Sequence, residues 1–205
     1  MTVMTDLEPA YTIPNMAMPE LASILDNWSE WKKETVLLSW SDLRELWTQC
    51  ENGESLAEIA EGLEVPLPML TTILVECAQV ALNFTDEKEP SLCLETLRKW
   101  IMGEATIYDL QKEVNSLADS TADVYTDTYN AAVNFYVRGY ERCLAINSEK
   151  AKPLADKCFA MVAVHTAKAI TAKSLAGCLH AEREAKTIWR RTCADICRLY
   201  ITVLP

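Results

Sequence analysis

The spacing of apolar and small residues in the second half of the chain constrains its fold most strongly. From Ile107 these residues recur at steps of three and four, which keeps one face of an α-helix apolar along its length. The spacing predicts a single long helix from Ile107 to about Ile146, on the order of 60 Å long. Its predicted seam comprises positions 107, 110, 114, 117, 121, 124, 128, 131 and 135.

A second stripe with the same spacing predicts another long helix, antiparallel to the first because Asn147 and Ser148 form only a short turn between them. It comprises Leu154, Cys158, Val162, His165, Ala169, Ala172, Ala176 and Leu179. After Leu179 the apolar stripe moves to a new set of positions. This fits either a continuous helix whose apolar positions drift around its axis or a break near Gly177. The shifted positions are Ala185, Trp189, Cys193, Ile196 and Tyr200.

Composition supports the same class of fold. Only 5 of the 205 residues are glycine and 3 are phenylalanine, while strong helix formers are abundant and strand-like alternation is absent. We therefore predict an all-α protein built as an antiparallel helical bundle.

The first half carries the pattern of a small three-helix unit of the helix-turn-helix type. Ser41 caps a helix that runs to Cys50, and the Ser55 and Glu58 pair forms a capping box that starts the second helix. A turn at residues 64–66 then leads into a third helix. This pattern is typical of packing units in which three short helices share one small core.

Proline positions suggest how the chain is divided. Pro90 marks the predicted boundary between an acidic trihelical unit over residues 19–90 and a long-helix bundle over 91–205, with an extended arm over 1–18. Further helix signals in the bundle are the N-cap Ser91, the stop Gly103 and the capping box of Thr106 and Asp109.

Charge is distributed unevenly along the chain. The net charge is −11, yet residues 1–90 hold 17 acidic and 4 basic residues, giving −13, and the remainder gives +2. No Lys or Arg occurs between Arg44 and Lys88. A nucleic-acid reader needs basic side chains on phosphates, so this charge argues against DNA binding and favours a protein partner with a basic surface.

The acidic residues of the trihelical unit form the first candidate binding face. Spaced carboxylates of this kind can dock a basic protein or imitate the phosphates of a nucleic acid, and the alternative is an ordinary solvated surface. The candidate residues are Asp42, Glu45, Glu51, Glu54, Glu58, Glu61 and Glu64.

Four tyrosines form the second candidate face. Tyr125, Tyr129, Tyr136 and Tyr140 share one broad side of the predicted long helix, and tyrosine is enriched at protein interfaces. The alternative is that they form the wall of the bundle.

The sequence shows no catalytic motif. It has no nucleophile elbow and no phosphate-binding glycine loop, so we predict a non-enzyme without cofactor or metal. His165 is expected to be a hydrogen-bonded core histidine, while Cys193 and Cys197 with His180 do not have a zinc spacing. Eight cysteines at apolar positions, no secretory signal and no apolar run near the roughly 18 residues of a membrane span predict a reduced, cytoplasmic, soluble chain.

Three segments resemble bacterial and phage helical immunity proteins. They are Cys93–Thr106, the alanine-rich stretch Ala163–Ile170 with its histidine, and the closing pattern from Glu182 to Tyr200. This resemblance, over about residues 91–201, implies a binding protein that neutralises a toxin or a defence enzyme and has no chemistry of its own.

The sequence thus favours a non-catalytic inhibitor of immunity or phage counter-defence type that docks an acidic surface on a basic partner protein. The alternative is a transcriptional regulator or adaptor, with the helix-turn-helix-like unit as its docking part and the bundle for sensing or dimerisation. A homodimer remains open in either case.

Overall fold

Eight α-helices and one 3-10 turn make up nearly all of the residues that the computed structural model describes, which are 40–62, 65–118, 124–146, 148–176 and 182–202. No strand occurs in these ranges, and the predicted all-α class is confirmed. The helices are α1 Trp40–Gln49, α2 Gly53–Gly62, α3 Leu67–Ala81, α4 Lys88–Ile101, α5 Ile107–Ala118, α6 Val124–Ile146, α7 Lys152–Ala176 and α8 Glu182–Tyr200, with the 3-10 turn at Leu82–Phe84. The predicted arm over 1–18 lies outside the described residues.

The start of α2 differs from the predicted capping box. The helix begins at Gly53, and the Oδ1 atom of Asn52 accepts a hydrogen bond of 3.1 Å from the backbone N–H of Glu54. Ser55 therefore lies inside the helix and is buried. Asn52 is the better N-cap because its short side chain reaches the backbone N–H groups of the first turn, which have no partner within the helix. The helix therefore begins about one turn earlier than the capping box at Ser55 predicted.

Helix α4 also begins earlier than predicted. It starts at Lys88, so the predicted N-cap Ser91 is helical, and Pro90 lies in the first turn, where no intrahelical N–H is required. Its end is as predicted: Gly103 has a φ of 76°, and its N–H donates to Trp100 O at 3.0 Å. The N–H of Glu104 donates to Lys99 O at 2.7 Å, which completes a Schellman motif.

The capping box of α5 is confirmed. The backbone N–H of Thr106 donates to Asp109 Oδ2 at 2.9 Å, and the N–H of Asp109 donates back to Thr106 Oγ1 at 3.2 Å. The Thr106 hydroxyl also donates to Asp109 Oδ2 at 2.6 Å. This bond and the one from the Thr106 N–H lower the pKa of the Asp109 carboxyl because they favour its charged form.

The predicted single helix from Ile107 to Ile146 is wrong. The side-chain amide of Gln111 on α5 donates to Asn134 Oδ1 on α6 at 2.6 Å. Residues 23 apart in one continuous helix would be separated by about 34 Å, so the chain must fold back between them. Each of the two helices buries its own apolar face in the same core, and the two faces are out of phase along the sequence.

The buried face of α6 also differs from the predicted seam. Thr126, Asn130, Val133 and Val137 are buried, whereas Phe135 of the predicted seam is 70% exposed. The reversal between α5 and α6 changes which sequence positions face the core. Positions on α6 that continue the three-four spacing of α5 therefore face solvent. Thr128 and Ala131, two other seam positions, are exposed as well.

Helices α6 and α7 pack along their length. Tyr140 lies near Phe159, with ring centroids 6.0 Å apart, and further along the pair Tyr136 stacks on His165 at 5.4 Å. Increasing numbers on one helix thus meet decreasing numbers on the other, as in antiparallel helices. Of the predicted α7 stripe, Leu154 is exposed, whereas Cys158, Val162 and Ala169 are buried.

One hydrophobic core includes residues from both sides of Pro90. It extends from Leu46 on α1 to Ile201 after α8, and α3 packs against both α7 and α8. Pro90 is itself buried. The division at this residue into two folding units stays a prediction, and the described parts of both units meet in this core.

The expectation that no apolar run approaches a membrane span needs correction. The 18-residue window Leu67–Phe84 has a mean hydropathy of 1.4, which is apolar enough to cross a bilayer by length and composition. In the structure 44% of this window is buried, and Leu70 and Ile73 belong to the core. The apolar character of α3 follows from its packing between α7 and α8.

Candidate functional site

Two of the seven acidic candidate residues lie beside basic side chains from the other end of the chain. Glu51 lies 2.9 Å from Nε of Arg191, and Glu54 lies 3.5 Å from a terminal nitrogen of Arg190. Both arginines belong to α8, about 140 residues later. The acidic face of α2 is therefore also the surface on which α8 packs.

The remaining acidic candidates have different surroundings. Glu61 lies 3.1 Å from Nζ of Lys168 on α7, and Glu45 accepts a hydrogen bond of 3.1 Å from Gln49. Glu58 is half-buried. The side chain of Asp42 and the whole of Glu64 lie outside the described residues.

These ion pairs orient the helices more than they stabilise them. The side chains of Glu51 and Arg191 are 68% and 62% exposed, and a pair in contact with water contributes at most about 1 kcal/mol. The carboxylates consequently keep much of their contact with solvent.

The close packing of α8 on α1 and α2 depends on Gly53 and Arg198. A Cβ atom at Gly53 would overlap the backbone of Cys193 and Ala194 on α8, so only glycine permits this approach. Arg198 donates to the carbonyl oxygen of Trp47 at 3.0 Å and also to that of Cys50. It thereby satisfies carbonyl groups at the C-terminal end of α1, which has no basic residue in its own last turn.

Three of the four candidate tyrosines face the interior of the bundle. Tyr136 stacks on His165, and Tyr129 lies 6.3 Å from the same ring. Tyr140 meets Trp100 edge-on at 6.5 Å. Tyr125 is 68% exposed. The three inward residues therefore have the placement of a bundle wall, and Tyr125 alone is on the surface.

His165 is packed between aromatic rings and alanines of the bundle. Burial lowers its pKa to about 4, and the nearby ammonium of Lys168 acts in the same direction. The imidazole is therefore neutral near pH 7. The sequence predicted a hydrogen-bonded histidine, but among the described residues none bonds to its buried Nδ1 atom.

Five of the seven cysteines in the described ranges form two buried groups. Cys77, Cys193 and Cys197 lie close together where α3 meets α8, and burial raises the pKa of Cys197 to about 12. Cys143 and Cys158 are neighbours across α6 and α7. Within the described ranges no disulfide occurs and no cluster of three His, Cys, Asp or Glu is arranged to hold a metal ion. His180 and Cys178 lie outside these ranges.

A buried ion pair joins α7 to the start of α4. Lys173 on α7 is only 1% exposed, and its Nζ lies 3.1 Å from the carboxylate of Glu87, the N-cap residue of α4. No sequence pattern pointed to this pair, since Lys173 falls between positions of the predicted α7 stripe and is one of four lysines in that helix.

The bases that meet the acidic face were not predicted from the sequence either. Lys168, Arg190 and Arg191 are far from it in the sequence, and only the opposite charge balance of the two halves hinted at the contact. Comparisons of the chain with protein-family models, with curated proteins and with solved structures find no match.

Proposed function

We propose that this protein is a non-catalytic, cytoplasmic binding protein of the immunity or counter-defence type, which covers a basic surface of another protein. One observation carries the proposal. The face formed by α1 and α2 already holds arginine side chains, at Glu51 and Glu54, while its carboxylates remain open to solvent. The same groups can bind basic side chains of a partner at the exposed edge of this face.

In this proposal the first three helices act as a helix-turn-helix-like docking unit, and the antiparallel long helices act as its scaffold. The interior position of Tyr129, Tyr136 and Tyr140 leaves the acidic face as the main contact surface. The contact is electrostatic, so partner binding should weaken as salt screens the charges.

Neutralising three exposed carboxylates should abolish partner capture. The variant Glu45→Gln, Glu51→Gln, Glu54→Gln keeps the side-chain shapes but removes the charge, and we expect at least a tenfold loss of the captured protein, because charge pairs at an interface commonly contribute 1.5 kcal/mol or more. The measurement is affinity capture from the native host, quantified by mass spectrometry at low and high salt.

A matched control separates this face from net charge alone. The variant Asp86→Asn, Glu95→Gln, Glu104→Gln removes the same charge from exposed positions elsewhere. It should capture the partner as the wild type does. Equal capture by both variants, or no salt-dependent partner of the wild type, would contradict the proposal.

A further inference from the structure

The outer face of α6 carries an apolar side chain that none of the described helices covers. Phe135 is 70% exposed, and its ring is nearly perpendicular to that of Tyr136, with centroids 5.2 Å apart. Ala131 and Thr128 lie on the same face, one and two turns earlier, and both are exposed. The face therefore combines one large apolar side chain with a shallow region of small ones.

Two opposite charges flank this face. Asp127 and Arg138 are both exposed, and within the described part of the chain neither takes part in an ion pair. They are 11 residues apart, which at about 100° per residue places them on the same flank, separated by about 16 Å along the axis. Helix α5 borders this flank at Asn134 and α7 packs on the far side of α6 at Tyr136, while the side chains of Asp127 and Arg138 stay exposed among the described residues.

We infer that the outer face of α6 binds a second copy of this chain, with the two α6 helices antiparallel. The twofold axis runs perpendicular to α6, at the height of the midpoint between Ala132 and Val133. It places Asp127 of each copy opposite Arg138 of the other, forming two ion pairs. The same axis places each Phe135 between Thr128 and Ala131 of the second copy. The face is thus complementary to itself in both charge and shape.

The geometry also sets the strength of the dimer. One helix face offers an interface at the low end of the usual size range, below about 1,200 Å² in total. The dimer is therefore weak and depends on concentration. Its surface is distinct from the acidic face of α1 and α2, so dimerisation and partner capture can fail independently.

Charge exchange tests this arrangement with the full chain. Sedimentation equilibrium should show a reversible monomer–dimer equilibrium for the wild type. Asp127→Arg alone and Arg138→Asp alone each place like charges opposite each other, and we expect the dissociation constant to rise at least tenfold in each. Mixing the two variants pairs opposite charges at both contacts, and dimers should form again.

Further variants control for folding and for nonspecific charge effects. Asp86→Arg changes an exposed charge elsewhere and should dimerise normally, while Phe135→Ser should be monomeric with unchanged helical circular dichroism. The inference is overturned if the wild type stays monomeric over the accessible concentrations, if the single variants dimerise as the wild type does, or if their mixture does not associate.

Discussion

Replacing Gly53 with alanine should destabilise the protein by about 3 kcal/mol, because overpacking against backbone atoms cannot be relieved by a side-chain rotation. The added Cβ would overlap the backbone of Cys193 and Ala194, and α2 and α8 would have to separate. Alanine is the better helix former by up to about 1 kcal/mol, so the steric cost must exceed this gain. The midpoint and slope of urea unfolding give the free energy change.

Gly139→Ala is the matched control for that substitution. Gly139 also lies in a helix, but a Cβ there meets only the sulfur of Cys158, at 3.0 Å. A small shift of that side chain relieves the contact, so we expect a change within about 1 kcal/mol. Equal effects of the two substitutions would show that α8 does not approach α2 as closely as described.

The second large effect is expected at the buried ion pair. Glu87→Gln leaves the ammonium of Lys173 without its carboxylate at a site that is 1% exposed, and should cost about 2–3 kcal/mol of unfolding free energy. This value lies at the lower end for such pairs because the Glu87 side chain is 35% exposed and water reaches that end.

Lys173→Met should cost less, under about 1 kcal/mol, because methionine fills a similar volume and leaves Glu87 at the edge of the solvent. The double variant should resemble Lys173→Met alone, which a double-mutant cycle from urea unfolding detects. A larger cost for Lys173→Met than for Glu87→Gln would show that the fold requires the lysine side chain itself and not only a partner for its charge.

Local signals in the sequence predicted much of the secondary structure. The capping box of Thr106 with Asp109 and the stop at Gly103 were correct because they depend on neighbouring residues alone. The continuity of the helix after Ile107 could not be predicted, since apolar spacing is the same in one long helix and in two helices on one core. The phase error at Phe135 followed from that assumption.

The candidate site was only partly predictable for a related reason. Sequence positions showed where the carboxylates of α2 lie but not that Arg190 and Arg191 reach them. Such contacts join residues far apart in the chain, and single-sequence patterns contain no distance information between them. The opposite charges of the two halves were the available signal. They were interpreted as a sign of an external partner and not of contact between the halves.

The central claim is that the acidic first half packs directly on the more basic second half. Zero-length carbodiimide cross-linking, read by mass spectrometry, tests it most directly because the reagent joins a carboxylate only to an amine in contact. Glu61 and Lys168, 3.1 Å apart, should be linked in the monomer, with Glu95 and Lys99 at 2.6 Å as the local control. Linkage of the control pair without the Glu61–Lys168 link would contradict this packing.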